Sequence, residues 1–522
     1  MRRKLSTIAI VFITAACQPA PPPPVAKAPS LVVEPRSIAD LATELQGKKT
    51  TATAITQSFL DRIAAVDDAG PTLNAVLATN PAALDTAKAL DAAETKGPLY
   101  GIPILLKDNI ETLDAMATTA GSLALQDNLA GRDSPLVARL RAAGAVILGK
   151  TNLSEWANFR SNGSTSGWSA VGGLTKNPHV LDRNTCGSSA GSGAAVAAGL
   201  APAAIGTETD GSIVCPSSTN GIVGLKPTVG LIPRTHIVPI SATQDTAGPM
   251  TLTVADAALL LTVMAGSDAS DPATKDADAH KSDYTQALDP NALKGKRIGV
   301  ARWLTGYHGP TDAVFEQALA ELKEAGAELV DIQAFPNGGP MGVAEFAVLL
   351  AEFKAGLNDY LASTPAAVKS RTLDDLIAFN AATPAEMAFF NQDLFELAAK
   401  APALTDKAYI DAKAKAAQLS RANGIDKLLT DNAVIAIVSP TGGPAWTTDL
   451  ITGDHFLGSA SGLAAVAGYP HITVPMGVVH DLPVGLSFFG PAWSEASLIG
   501  LAYAYEQRTH ARKTPTFLPH SP

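Results

Sequence analysis

Three side chains in this chain could pass a proton among themselves. Lys107 ends the apolar run Leu99-Tyr-Gly-Ile-Pro-Ile-Leu-Leu-Lys107, and the stretch from Cys186 to Pro227 carries Ser188 and Ser189 near one end and Ser212 further on. No charge interrupts that stretch before Glu208. A serine hydroxyl is a weak nucleophile until something takes its proton. A lysine can take it only where burial disfavours the ammonium and leaves neutral amine near neutral pH. Lys107, at the close of an apolar run, suits that demand. Taken alone it is more simply a strand-end lysine with a buried stem and a hydrated head. Asp108 would oppose the first reading if its side chain turned toward the amine.

Two other motifs compete for the chemistry. Gly187-Ser188-Ser189-Ala190-Gly191 matches the nucleophile elbow, which would make Ser189 the nucleophile of a Ser-His-Asp hydrolase. That motif needs an apolar strand leading into the turn, but Asn177 to Cys186 is polar and turn-like, and the nine histidines are scattered. Gly144-Ala-Val-Ile-Leu-Gly-Lys150-Thr151 matches the P-loop pattern letter for letter. Here a helix precedes Gly144 and the variable positions themselves read as a strand, so no phosphate-binding loop is expected.

The segments Cys186 to Gly193, Gly206-Thr-Glu-Thr-Asp-Gly-Ser-Ile213 and Gly221-Ile-Val-Gly-Leu-Lys-Pro227 closely resemble the signature of the amidase signature family of serine hydrolases. Ser212 follows Ser188 by the 24 residues that signature requires. Ile104-Leu-Leu-Lys-Asp-Asn109, Ala143 to Asn152, Asp245-Thr-Ala-Gly-Pro249 and Leu482-Pro-Val-Gly-Leu486 extend the resemblance over most of the chain from about Ser37 to Arg512. It implies Lys107 as catalytic lysine, Ser188 as bridging serine after a cis peptide, and Ser212 as acylating nucleophile. It also implies an oxyanion hole of backbone N–H groups at Thr209, Asp210, Gly211 and Ser212, and neither metal nor cofactor. Many members carry glycine where Asp210 stands, so its carboxylate must point away from the developing oxyanion. The Thr-Asp-Gly-Ser turn with Cys186 and Cys215 resembles the bacterial peptide amidase branch, which removes ammonia from peptide C-terminal amides. Trp156 and Phe159 would line a substrate groove or simply fill core.

The elements that must position these residues alternate. Apolar runs at 99–106, 145–148, 201–205, 297–301 and 433–438 suit strands covered on both faces. Amphipathic helical patterns at 37–47, 51–67, 81–96, 134–143, 254–264, 312–325 and 495–506 separate them, with a short strand near 73–79. Alternation of this kind means an α/β fold. The resemblance makes it a single α/β/α sandwich around a mixed sheet, spanning residues 37–515. Residues 266–432 read as more helical and are expected to shape the substrate site.

With 522 residues, 46% of them apolar, the chain can bury a large core. Its formal charge of −10 argues against a nucleic-acid or anionic-membrane binder. Arg2, Arg3 and Lys4 followed by an apolar segment to Ala16 form a signal peptide (residues 1–16). Thr14-Ala-Ala-Cys17 resembles a bacterial lipobox, with Cys17 as lipid anchor; ordinary cleavage is the alternative. A proline-rich linker follows over 17–36. The expectation is an exported, periplasmic, outer-membrane-anchored monomer that hydrolyses carboxamides. In such an oxidising compartment Cys186 and Cys215 could pair or remain small buried hydrophobes. A broad aliphatic or aryl amidase or an esterase is the alternative within the family. A lipoprotein that binds peptides or amides without cleaving them is the alternative outside it. The amidotransferase-subunit branch fits poorly, since an exported protein would not meet its tRNA.

Overall fold

The computed structural model describes residues 33–94 and 96–521, so the expected leader, Cys17 and most of the proline-rich linker lie outside the described residues. From Val33 onward the chain forms one unit. Its strands are β1 (Val76–Thr79), β2 (Pro103–Lys107), β3 (Val146–Thr151), β4 (Trp168–Ser169), β5 (Gly173–Leu174), β6 (Ala203–Glu208) and β7 (Val223–Lys226). They continue as β8 (Thr246–Thr251), β9 (Arg297–Ala301), β10 (Glu328–Ile332), β11 (Ala436–Pro440), β12 (His471–Val479) and β13 (Leu482–Phe489). Among the described residues, eleven form one sheet in the order β1-β3-β2-β6-β8-β7-β12-β13-β11-β9-β10, with β4 and β5 a separate ribbon.

The apolar runs fall where double-sided burial predicts them. Every residue of β2, β3, β6, β7, β8, β11 and β13 is buried, whereas the edge strands β1 and β10 are partly open. The sheet is mixed. β2 runs parallel to β3 and β6, and β9 to β10 and β11, while β6, β8, β7, β12 and β13 alternate in direction. The β12–β13 connection is a two-residue turn, His480-Asp481, with both φ angles positive, which matches the twist of a hairpin.

The first helices begin where their caps predict. Ser37 and Asp40 form a reciprocal capping box for Ile38–Gln46, and the Thr51 hydroxyl caps Ala52–Arg62. The region 266–432 contains a 26-residue helix, Gly338–Ser363, whose Phe353, Leu357 and Leu361 enter a core cluster with Trp156, Phe159 and Phe395.

The connectivity locates the crevice. From β2 the chain moves to β3 on one side, then returns across β2 to β6 on the other. Such a reversal leaves an opening at the carboxyl ends of the two parallel strands. Lys107 and Glu208 are the last residues of those strands.

Candidate active site

Lys107 is entirely buried, and its Nζ has three partners: Ser188 Oγ at 2.8 Å, Thr207 Oγ1 at 2.9 Å and the Thr207 carbonyl at 3.2 Å. A carbonyl can only accept. A neutral amine with two N–H bonds on Thr207 therefore keeps its lone pair for the hydroxyl of Ser188. Burial lowers the Lys107 pKa to about 7, against the opposing pull of the Asp245 and Glu208 carboxylates. Asp108 turns away: it accepts from Thr119 N at 3.1 Å and pairs with Lys150, whose ammonium also donates to the Ile110 carbonyl at 2.6 Å and to Thr118 Oγ1 at 2.8 Å. The lysine of the P-loop-like sequence is thus enclosed in β3, with its charge spent on Asp108.

Ser188 is fully buried, and the Gly187–Ser188 peptide is cis. A Cβ on Gly187 would lie 2.1 Å from Ser154 Oγ, so only glycine fits there. Ser189 is committed to the scaffold. Its hydroxyl donates to the Thr207 carbonyl at 3.1 Å and accepts from Thr207 N at 3.3 Å, and its N–H donates to the Ser212 carbonyl at 3.1 Å. The small residues after it form the wholly buried helix Ala190–Ala197. Cys186 and Cys215 are disulfide-bonded, with Cα atoms 5.9 Å apart, and join the two serine turns covalently.

Ser212 lies in the turn after β6, next to Gly211, whose φ of +80° is a left-handed conformation that favours glycine. Glu208 Oε2 accepts from Ile213 N at 2.7 Å and Val214 N at 3.0 Å. Among the described hydrogen bonds, the N–H groups of Asp210, Gly211 and Ser212 have no protein acceptor. Thr209 is gripped from the chain before β8: its hydroxyl donates to Asp245 Oδ1 at 2.6 Å, and its carbonyl accepts from Gln244 Nε2 at 3.3 Å. Asp210 is an exposed residue whose Oδ2 lies 3.5 Å from where a Cβ on Gly462 would stand, and desolvation raises its pKa.

A cavity of about 410 Å³ reaches Thr207 and Thr209 between the loop 234–246 and the helix Gly338–Ser363. Asn109 lines it and donates through Nδ2 to Thr207 Oγ1 at 2.9 Å. The Asn109 Oδ1 is buried with no protein partner. Trp156 and Phe159 are chiefly core: Trp156 meets Phe395 edge-on and Phe159 packs on Phe353. Trp156 also borders a small extension of the cavity beside Asn109.

The Amidase family model matches residues 54–499. The chain belongs to the amidase signature family. It is an amide hydrolase, similar over its whole body to known amidases. A probable amidase of Arabidopsis thaliana is 40% identical over 505 residues, covering 93% of this chain and 92% of the plant protein. The native peptide amidase of Stenotrophomonas maltophilia is 51% identical with a TM-score of 0.86, covering 92% of this enzyme and 98% of that chain. A peptide amidase solved with the competitive inhibitor chymostatin is 52% identical with a TM-score of 0.87 over the same shares.

Sequence reasoning placed Lys107, Ser188 and the turn Thr209–Ser212 at one crevice but missed the groups that hold them. Thr207 lay within the quoted stretch, but it is buried like every other residue of β6, so no alternation set it apart. Gln244 carries no local signal, because the Thr209 carbonyl it meets is remote in sequence.

Proposed function

We propose that the enzyme hydrolyses carboxamides, peptide C-terminal amides among them, through an acyl-enzyme on Ser212. The observation that supports this best is the buried contact of Lys107 Nζ with Ser188 Oγ, with the other two partners of the amine on Thr207. Neutral Lys107 takes the proton of Ser188 as Ser188 takes that of Ser212, and Ser212 Oγ attacks the amide carbon. The carbonyl oxygen gains negative charge and is met by the free N–H groups at 210–212. Collapse of the tetrahedral intermediate breaks the C–N bond while the proton returns from Lys107 through Ser188 to the leaving nitrogen, which departs as ammonia. Water then attacks the acyl-enzyme by the same relay in reverse, releasing the carboxylic acid and restoring Ser212.

The cavity volume suits a small peptide or comparable acyl group. Similarity to the peptide amidases supports the choice of peptide amides over simple aliphatic or aryl amides. Ammonia release from a panel of peptide amides, aliphatic amides, anilides and esters tests it. Turnover of anilides or esters with none of peptide amides would refute the peptide reading.

We also infer export to the periplasm as a lipoprotein anchored at Cys17, acting as a monomer. The Cys186–Cys215 bond supports an oxidising compartment. Labelling cells with radioactive palmitate tests the anchor: label should appear on the wild type and vanish in Cys17→Ala. Unlabelled wild type would refute it.

A further inference from the structure

Between Ser154 and Arg160 the backbone takes a shape that side chains resist. Trp156, Ala157 and Asn158 have φ angles of +50°, +54° and +70°, three consecutive left-handed residues with no glycine among them. Such a run is costly for residues that carry a Cβ, and it persists only where its surroundings impose it. The turn sits against the reacting centre. Ser154 N donates to the Ser188 carbonyl at 3.0 Å, and Ala157 lines the cavity of about 410 Å³. A Cβ on Gly187 would lie 3.2 Å from Asn158 Nδ2, so the turn also bounds the residue before Ser188.

A buried ionic cluster ties the two ends of this turn. Arg160 Nη1 lies 3.0 Å from Glu155 Oε1 and 3.4 Å from Glu386 Oε2, and all three side chains are wholly buried. The same nitrogen donates to the Glu386 carbonyl, and the Arg160 carbonyl accepts from Leu394 N at 3.1 Å. Glu155 Oε2 accepts from Ala170 N at 2.9 Å, while Glu386 Oε1 accepts from Ser122 Oγ at 3.0 Å and Leu123 N at 2.7 Å. The guanidinium carbon stands 4.1 Å from the centroid of the Phe390 ring, a cation–π contact. Glu386 lies between the helices Leu373–Ala382 and Asp393–Ala399, so the cluster fastens the helical region to the turn.

We propose that Arg160 is a positioning residue for amide hydrolysis: by joining Glu155 to Glu386 it holds the left-handed turn against the Gly187–Ser188 backbone and keeps Ser188 in line between Lys107 and Ser212. The inference rests on reading Ser188 as the proton relay to Ser212. Arg160 does not line the cavity; it acts through Ser154, which meets the Ser188 carbonyl. An exposed ion pair would be a poor clamp, because water and salt compete for both partners. Burial removes that competition, and loss of one partner leaves the remaining charge unbalanced.

The test compares the wild type with Arg160→Met and Glu386→Gln, each rate being taken per active site counted with a serine-directed phosphonate. Counting sites matters because removing a buried charge also lowers the folded fraction. A residue that only supported the fold would leave the rate per site unchanged. Arg160→Met keeps most of the side-chain length and loses the charge. Its kcat for a peptide amide should fall about 10- to 100-fold per site, with KM changing less than about threefold. The rate of phosphonate addition, which uses the same relay, should fall by a similar factor. Glu386→Gln keeps an oxygen for Ser122 and Leu123 N and loses the charge facing Arg160. It is the milder variant, and its kcat should fall about 3- to 10-fold per site. An unchanged kcat per site in Arg160→Met or in Glu386→Gln overturns the proposal. So does a raised KM with kcat intact, which would assign the turn to the cavity wall alone. Phosphonate found on a serine other than Ser212 in the wild type rejects the relay reading itself, whereas label on Ser212 with kcat per site unchanged rejects Arg160 alone.

Discussion

The pKa of Lys107 makes a prediction that can be worked through in numbers. An unperturbed lysine, with a pKa of about 10.4, is only about 0.04% neutral at pH 7. With its pKa brought to about 7 by burial, Lys107 is half neutral there, so the fold raises the supply of base by about a thousandfold. The sign follows directly: the neutral form is the reactive one, so activity is present above the pKa and is lost as pH falls through it. Neutral amine is about 91% of the total at pH 8, about 9% at pH 6 and about 1% at pH 5. Measured as ammonia release under kcat/KM conditions, the rate should climb nearly tenfold per unit below pH 6.5 and flatten toward pH 8. Lys107→Ala should cost about 10²- to 10⁴-fold near pH 8 and much less at pH 5, because it removes a base that acid has already silenced. Lys107→Arg should be as poor as Lys107→Ala, since guanidinium does not give up its proton at these pH values. A wild-type profile flat from pH 5.5 to 8, or a Lys107→Ala profile parallel to it, would refute the role of Lys107 as base.

A serine-directed phosphonate should add its mass to the peptide containing Ser212, and an adduct on Ser189 would restore the nucleophile-elbow reading. Ser189→Ala should leave that labelling intact while lowering stability by about 1–3 kcal/mol in urea unfolding, because Thr207 loses partners for its buried N–H and carbonyl. Reducing the Cys186–Cys215 bond, which closes a loop of sequence separation 29, should cost about 3–4 kcal/mol; an unchanged denaturation midpoint in reductant would show that the bond constrains little. Gly191→Ala would put a Cβ 2.3 Å from the Ala75 carbonyl oxygen and 2.6 Å from the Asn152 backbone, where neither neighbour is a yielding side-chain end. It should destabilise the enzyme by about 1–3 kcal/mol, and a variant as stable as wild type would contradict the close approach.

The sequence by itself determined the class of fold and the ends of its parts. Runs such as Ile104-Leu-Leu and Val146-Ile-Leu can be satisfied only between two covering layers, so their burial could be read locally. Ser37 and Thr51 announced the first helices because a cap and the N–H it serves are three residues apart. The serine pair and Lys107 were legible through a motif, which records spacing but not contact.

Strand direction was not legible, because an apolar strand buried on both faces reads alike whether its neighbour is parallel or antiparallel. The short loop that makes β12 and β13 a hairpin uses His480-Asp481 rather than a glycine-bearing pair, so it carried no strong turn signal. Whether Cys186 and Cys215 met, and whether Asp108 faced the lysine, depended on Cα separation and side-chain direction, which spacing does not encode. Above all, the tertiary structure alone decided the charge state of the site. Complete burial lowers the pKa of Lys107, Thr207 occupies its N–H bonds, and Gln244, 35 residues beyond Thr209 in sequence, donates to the Thr209 carbonyl. Desolvation and hydrogen bonding are properties of enclosing atoms, and those atoms come together only when the sheet, the loop 234–246 and the long helix close around the carboxyl ends of β2 and β6.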